Sequence, residues 1–400
     1  MRITFVGDII ISQRQLPLFQ TDHGYDFSAL KNSLENAFSA SDYVIANLET
    51  PIAGEEFGFT EEEYSYNTPE ALLETLKSAG IDMVQTSNNH CLDRGTDGLK
   101  HTIDNISDYG LEYIGTHKKK EDAFKIIDIQ GVRVGIMAYT YGTNSFANGI
   151  YLNKDNEYLV DLLQKQELSG SFERVLYKSD NRIIRRINRF MAAVNPDRYG
   201  TPVYERREPD KNQRQHLKEQ IKKCKASGAE FVIVLLHIGG QFNSVPSDYT
   251  KKMCNYCRDN GANLVVANHE HIIHPYDKAQ VPSGDLCWYS LGNFLSDDGV
   301  LTPPYDKLCQ YSVALSVDLE REGSGVRSDY CIQLFCNHTN QSNQVITEPV
   351  LDYYRNSEDL ELRKQIKKDC STLLNMIYGT EGVDYDMCPF YSIGCHGSSL

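Results

Sequence analysis

The sequence predicts an α/β fold, with strands and helices alternating around a largely parallel sheet. Three observations predict it. Short apolar runs recur with stretches of helical spacing between them. Several of these runs end in residue types that ligate metals. The composition, 40% hydrophobic and 24% charged over 400 residues, is that of a globular protein long enough for one large domain or two ordinary ones. Strands that alternate with helices pack as a parallel sheet layered by helices. In such sheets ligands gather beyond the carboxyl ends of the strands.

Arg2–Val6 reads as the first strand and runs out at Gly7-Asp8. Ser28–Ala40 has helical spacing. Tyr43–Ala46 is a second strand, ending at Asn47-Leu48-Glu49-Thr50-Pro51. Thr68-Pro69 opens a helix to Ala79, with Thr68 as N-cap, Pro69 at the first position and Gly80 as the stop. Met83–Thr86 is a third strand, followed by Ser87-Asn88-Asn89-His90 and then Asp93-Arg94-Gly95. Asp97–Tyr109 is a helix and Glu112–Gly115 a fourth strand. Phe124–Ile129 and Val132–Ala138 flank Gly131 as a hairpin.

The rhythm breaks between about 144 and 210, where a helical, arginine-rich insert is expected. Arg182, Arg185, Arg186 and Arg189 fall on one helical face, which is most simply a solvated or intersubunit face. It resumes with a helix over Lys211–Ala226 and an apolar strand over Phe231–Leu236 that ends at His237. A helix over Asp248–Asn260 precedes the strand Leu264–Ala267. The cluster Asn268-His269-Glu270-His271 follows at once. Extended backbone would point the imidazoles of His269 and His271 the same way, as a borderline metal requires. Leu286–Leu291 leads to Gly292-Asn293-Phe294, and Gln310–Leu319 with Arg327–Phe335 form an antiparallel pair. A main domain over 1–335 is expected. Residues 336–400 form an extension packed on it, with one helix at Glu358–Met376.

Charge and cysteines narrow the function. Lys and Arg number 40 against 55 Asp and Glu, a formal net charge of -15, whereas a nucleic-acid binder needs a basic face. No apolar run approaches the roughly 18 residues of a membrane span. Met1-Arg2 leads straight into a core strand, without the longer apolar run of a signal peptide. The 11 scattered cysteines suit a reducing compartment, and Cys254-x-x-Cys257 reads as a core pair in a helix. The expectation is a cytoplasmic protein with an anionic partner and no nucleic acid.

Taken together, Asp8, Glu49, Asn89, His90, His237, His269 and His271 offer carboxylates, an amide oxygen and imidazoles at strand ends. That set suits one or two divalent ions, Mn, Fe or Zn, about 3.5–4 Å apart if two share a hydroxide. Two such ions bring four positive charges, and Asp8, Glu49 and the hydroxide remove three. The small positive remainder suits an anionic phosphoryl group. His90 is placed to protonate the leaving oxygen.

These pieces resemble a known family. Gly7-Asp8, Asn47-Leu48-Glu49-Thr50-Pro51, Asn88-Asn89-His90 with Asp93 and Gly95, His237-Ile238-Gly239, Asn268-His269-Glu270-His271 and Tyr289-Ser290-Leu291-Gly292-Asn293-Phe294 occur in the order of the poly-gamma-glutamate capsule synthesis (CapA-type) proteins. Those are relatives of the calcineurin-like metallophosphatases. The resemblance covers roughly Met1–Phe294. It implies a four-layer α/β/β/α sandwich, metal-ligand roles for Asp8, Glu49, Asn89, His237, His269 and His271, a catalytic role for His90 with Asn89, and substrate contact for Asn293. Metallophosphatases generally carry His two residues after the first Asp; Ile10 stands there, a loss the CapA-type pattern shares.

The residues therefore lead to a metal-dependent hydrolase, most simply a phosphoesterase using a metal-bound hydroxide, and the resemblance implies a place in capsule, polysaccharide or poly-gamma-glutamate metabolism. Two alternatives stay open: hydrolysis or transfer at the amide bonds of poly-gamma-glutamate, and a noncatalytic assembly or polymer-binding protein on the same scaffold.

Overall fold

The computed structural model of the chain describes residues 1–164 apart from Glu63, residues 166, 183, 186 and 187, and 211–277, 284–301 and 308–394 apart from Ser324. The arginine-rich helical face lies outside the described residues, Arg186 excepted.

Two sheets form the centre. In the larger, the strands run in the order Val345–Pro349, Gly325–Thr339, Tyr311–Glu322, Arg2–Ile9, Tyr43–Leu48, Met83–Gln85 and Glu112–Ile114. From Arg2–Ile9 onward they are parallel; the others pair antiparallel. In the smaller sheet Leu286–Leu291, Leu264–Asn268, Phe231–His237 and Val132–Thr140 are parallel, and Ile273–Tyr276 and Lys125–Ile129 close the edges antiparallel.

The apolar patterning dictates four layers. A parallel strand is covered on both faces and so reads as a nearly continuous apolar run. One face of each sheet meets the other sheet in a core that includes Phe5, Ile45, Met83, Ile136, Ile233, Val266 and Trp288. The outer face of the larger sheet packs Val6, Val44 and Val84 against Leu72, Leu73 and Leu76 of the helix Ala71–Ser78. The outer face of the smaller sheet packs Val232, Val234 and Val265 against Leu217, Ile221, Met253 and Cys257 of the helices Lys211–Ala226 and Asp248–Asp259. This is the expected α/β/β/α sandwich. Cys254 and Cys257 lie in that core, and all ten described cysteines are free. No described helix is long and apolar enough to cross a membrane.

Several local expectations change. Thr68 does not cap a helix: its hydroxyl lies 2.9 Å from that of Thr50, and the helix Ala71–Ser78 begins without a side-chain cap. The segment after 336 is not confined to one helix. The strand Gly325–Thr339 runs through residue 335, and Val345–Pro349 and Tyr391–Ile393 pair with it. Two helices, Val350–Asn356 and Leu360–Tyr378, follow Pro349. Ile366, Cys370, Leu373 and Leu374 of the longer helix complete the inter-sheet core.

The backbones of the strands Arg2–Ile9 and Leu286–Leu291 meet near Gly7. The pairing of Arg2–Ile9 with Tyr43–Leu48 shifts register between Val6 and Asp8, a bulge that re-aims Asp8. There the Asp8 backbone N–H donates to the Gly292 carbonyl at 3.1 Å. A Cβ on Gly7 would lie 1.8 Å from that carbonyl oxygen. Gly7→Ala should therefore lower stability by about 1–3 kcal/mol, the usual cost of overpacking. Urea denaturation checks this; an unchanged midpoint would mean that the Gly292 turn withdraws freely.

Candidate functional site

The carboxyl ends of the parallel strands in both sheets meet at one end of the sandwich, and the polar residues there are buried. Asp8 lies in Arg2–Ile9, Glu49 follows Tyr43–Leu48, His237 ends Phe231–His237, and His269 follows Leu264–Asn268. Asp8, Glu49 and His237 are fully inaccessible, and Asn89, His269 and His271 almost so.

Glu49 is the centre. Its Oε1 lies 3.3 Å from His237 Nε2 and 3.9 Å from His269 Nδ1. Neither carboxylate oxygen has a hydrogen-bond partner, and neither does His269 Nδ1. Asp8 accepts from the Asn47 amide at 2.6 Å and from the His269 backbone N–H at 3.3 Å. Its Oδ2 is 3.4 Å from His271 Nδ1. The Asn89 amide oxygen lies 2.8 Å from His237 Nε2. Two overlapping groups have ligand atoms close enough to share an ion: Asp8, Glu49 and His237, and Glu49, His269 and His271. Glu49 belongs to both.

The histidines after Leu264–Asn268 do not converge through extended backbone, as the two-residue spacing suggests. His269 and His271 both have positive φ, 103° and 61°. The strand ends at Asn268, and a strained turn brings the two rings to 5.8 Å between centroids. Non-glycine residues hold such angles only where their surroundings impose them.

Burial and neighbouring charge set the protonation states. Burial drives the His269 imidazole down to about 3, so it is neutral. For His271 burial opposes the charge, but the Glu49 and Asp8 carboxylates outweigh it and push the ring up to about 10. Burial and the Glu49 charge hold Asp8 above the usual carboxylate range. Glu49 lies well below that range, since the His237 and His271 rings overcome its burial.

His90 stands beside this cluster. Its Nδ1 is 2.7 Å from Asp93 Oδ2, which also accepts from the Tyr66 backbone N–H at 2.8 Å. Burial lowers the basicity of His90, but Asp93 more than restores it and leaves the ring above its ordinary value. The Tyr66 ring lies 4.5 Å from it, centroid to centroid.

His90 and His271 line an open cleft of about 80 Å³. Ile10 also lines it, at the position where a metallophosphatase histidine is expected. The other walls come from segments the sequence reading passed over, among them Arg14, Tyr64, Tyr66, Gln241 and Phe242. Only Arg14 had a usable signal, standing six residues after a strand-end Asp. Asn293 is not among the lining residues. It is fully buried, and its amide oxygen lies 2.9 Å from His271 Nδ1.

A two-sheet α/β/β/α sandwich with carboxylates, an amide and imidazoles gathered at its strand ends is the metallophosphatase type of fold. Residues 2–298 match the family model of the bacterial capsule synthesis protein PGA_cap, and the chain belongs to that family. It is 25% identical over 319 residues to the capsule biosynthesis protein CapA of Bacillus anthracis, a match over 78% of this chain and 63% of that protein. It is 24% identical over 323 residues to the PGA biosynthesis protein CapA of Bacillus subtilis, over 80% and 68% respectively. The chain thus spans about two thirds of these relatives' length. Among solved structures, the calcineurin-like phosphoesterase YfkN of Bacillus subtilis matches at 13% identity and a TM-score of 0.42, over 94% of this chain and 98% of that one. A sulfate thiohydrolase SoxB in complex with glycerol, from a Thermus, matches at 12% and 0.41, over 86% and 46%.

Proposed function

We propose that the chain is a metal-dependent hydrolase acting on phosphoesters. The observation that carries this reading is Glu49. Its carboxylate is buried and ionised, has no hydrogen-bond donor on either oxygen, and belongs to both ligand groups. Its counter-charge is the His271 imidazolium, and a divalent ion would take that place and leave the ring neutral to ligate. Divalent Mn, Fe or Zn fits the mixture of carboxylate, amide oxygen and imidazole.

Asp8, Glu49, His237 and the Asn89 oxygen would hold one ion, and Glu49, His269 and His271 a second. Bound there, such ions would lower the pKa of water and offset charge on a phosphoryl group. Asn293 is then a positioning residue. Its amide oxygen, 2.9 Å from His271 Nδ1, orients the ring, as partners of metal-bound histidines commonly do. His90 is the acid. Asp93 holds its Nδ1 proton, and the opposite nitrogen is free to give a proton to the leaving oxygen in the cleft.

A noncatalytic scaffold is the second reading, and Ile10 favours it by removing one ligand. His90→Ala separates the two. A hydrolase should lose about 10²–10⁴-fold in kcat with metal content and circular dichroism unchanged. Unaltered turnover would remove His90 from the mechanism, and absence of any phosphoester turnover in metal-loaded wild type would favour the scaffold. Asn293→Ala should weaken metal affinity by about 10–100-fold. A competition titration against a chelator measures this, and wild-type affinity would return Asn293 to a purely structural role.

A further inference from the structure

The cleft above the candidate metal groups has a chemistry of its own. Its lining contains a single Lys or Arg among the described residues, Arg14, and two carboxylates, Asp297 and Asp298. Asp298 accepts from the Asn293 amide at 3.4 Å and from the Ser296 hydroxyl at 3.2 Å. A polymer bearing a carboxylate on every unit would set negative charge against Asp298, and like charges at an interface are rejected; Asp297 is buried and accepts from the Ser12 hydroxyl at 2.9 Å. One anionic group is accommodated, at the floor beside His90 and His271. The remainder of the ligand must be neutral.

Two aromatic rings define that remainder. Tyr64 and Phe242 line the cleft, and their backbones are left-handed, with φ of 61° and 59°. Five described residues other than glycine and asparagine have positive φ. Four of them, Tyr64, Phe242, His269 and His271, stand at this site, and Gln130 alone lies elsewhere, in a hairpin turn. Bulky residues take this conformation at an energetic cost, and such outliers cluster where a ligand is gripped. The Phe242 ring is 5.3 Å from that of His271, so it adjoins the reacting end of the cleft. Gln13 and Gln241 add amides that both donate and accept, and the Gln241 nitrogen lies 3.3 Å from His271 Nε2.

Aromatic faces, amides that donate and accept, and carboxylates that only accept are together the complement of a ring bearing hydroxyl groups. The negative face of an aromatic ring attracts the C–H side of a saturated ring. The amides and Asp298 accept from hydroxyls. We infer that the substrate is a sugar phosphate, its phosphoryl group at the floor and its sugar against Tyr64 and Phe242. This inference rests on the phosphoesterase reading above. In the reaction, the oxygen of water bonds to phosphorus and the bond from phosphorus to the sugar oxygen breaks. That oxygen takes a proton from His90, the attacking water gives up one proton to solvent, His90 is re-protonated from solvent, and the products are the free sugar and inorganic phosphate.

Tyr64→Gly and Phe242→Gly test the inference. Glycine suits the positive φ at both positions, so each change removes a ring without opposing the fold. Phosphate release from glucose 1-phosphate and from acetyl phosphate, which has no ring, would be followed in the metal-loaded full chain. Oligo-γ-glutamate cleavage would be followed in parallel. Each variant should raise KM for glucose 1-phosphate about tenfold, and Tyr64→Gly should leave acetyl phosphate within about twofold, as expected for a lost stacking contact. Equal effects of Tyr64→Gly on both phosphates, or hydrolysis of acetyl phosphate with no turnover of the sugar phosphate, would overturn the sugar inference alone. No phosphate release from either compound, or cleavage of oligo-γ-glutamate in its place, would overturn the phosphoesterase reading with it.

Discussion

A carboxylate sealed from water without a hydrogen-bond donor sets the terms for the rest of this molecule. Glu49 is fully buried, and both its oxygens lack donors. Imidazoles from separate strands of the other sheet surround it, His237 at 3.3 Å and His269 at 3.9 Å. Two sheets packed face to face deliver these groups to one point. The larger sheet supplies Asp8 and Glu49, and the smaller supplies His237 and His269. The apolar core between them fixes the distance. The backbone crossing at Gly7 and Gly292 then locks the strand that carries Asp8.

The same arrangement explains the uneven protonation of the site. His269 is neutral because burial dominates its surroundings, whereas His271 carries charge because two carboxylates face it. Two rings two residues apart in sequence thus differ by several units in basicity. The difference comes from placement, since each is a histidine buried in the same turn. His90 occupies a third environment. Its partner Asp93 accepts from the ring and from the Tyr66 backbone, which fixes the ring's position beside the cleft.

Much of this was legible in the sequence because parallel strands announce themselves twice. Runs such as Phe231–His237 are apolar throughout, and their last residues break that pattern abruptly. Asp8, Glu49 and His237 were found in that way. The geometry of the turn at His269 and His271 was not legible, since residue types carry no sign that φ will be positive there. Thr68 satisfied every local rule for an N-cap, yet a tertiary partner, Thr50, took its hydroxyl. For Asn293, a substrate contact came only from the family resemblance. Its pairing with Asp8 across the Gly292 turn, a long-range contact, puts it behind His271 instead. The cleft walls were the least legible. Tyr64 and Phe242 stand in irregular segments without periodicity, and only the assembled fold brings them together.

The account stands on ions filling the space around Glu49. Crystals of the full chain grown with manganese, with diffraction collected at the manganese edge, would test it directly. The account predicts anomalous density within about 2.0–2.4 Å of Glu49 and of the His237, His269 and His271 nitrogens, the range of first-row metal bonds to such ligands. A map with no peak at Glu49, or with manganese bound only elsewhere on the surface, would contradict it.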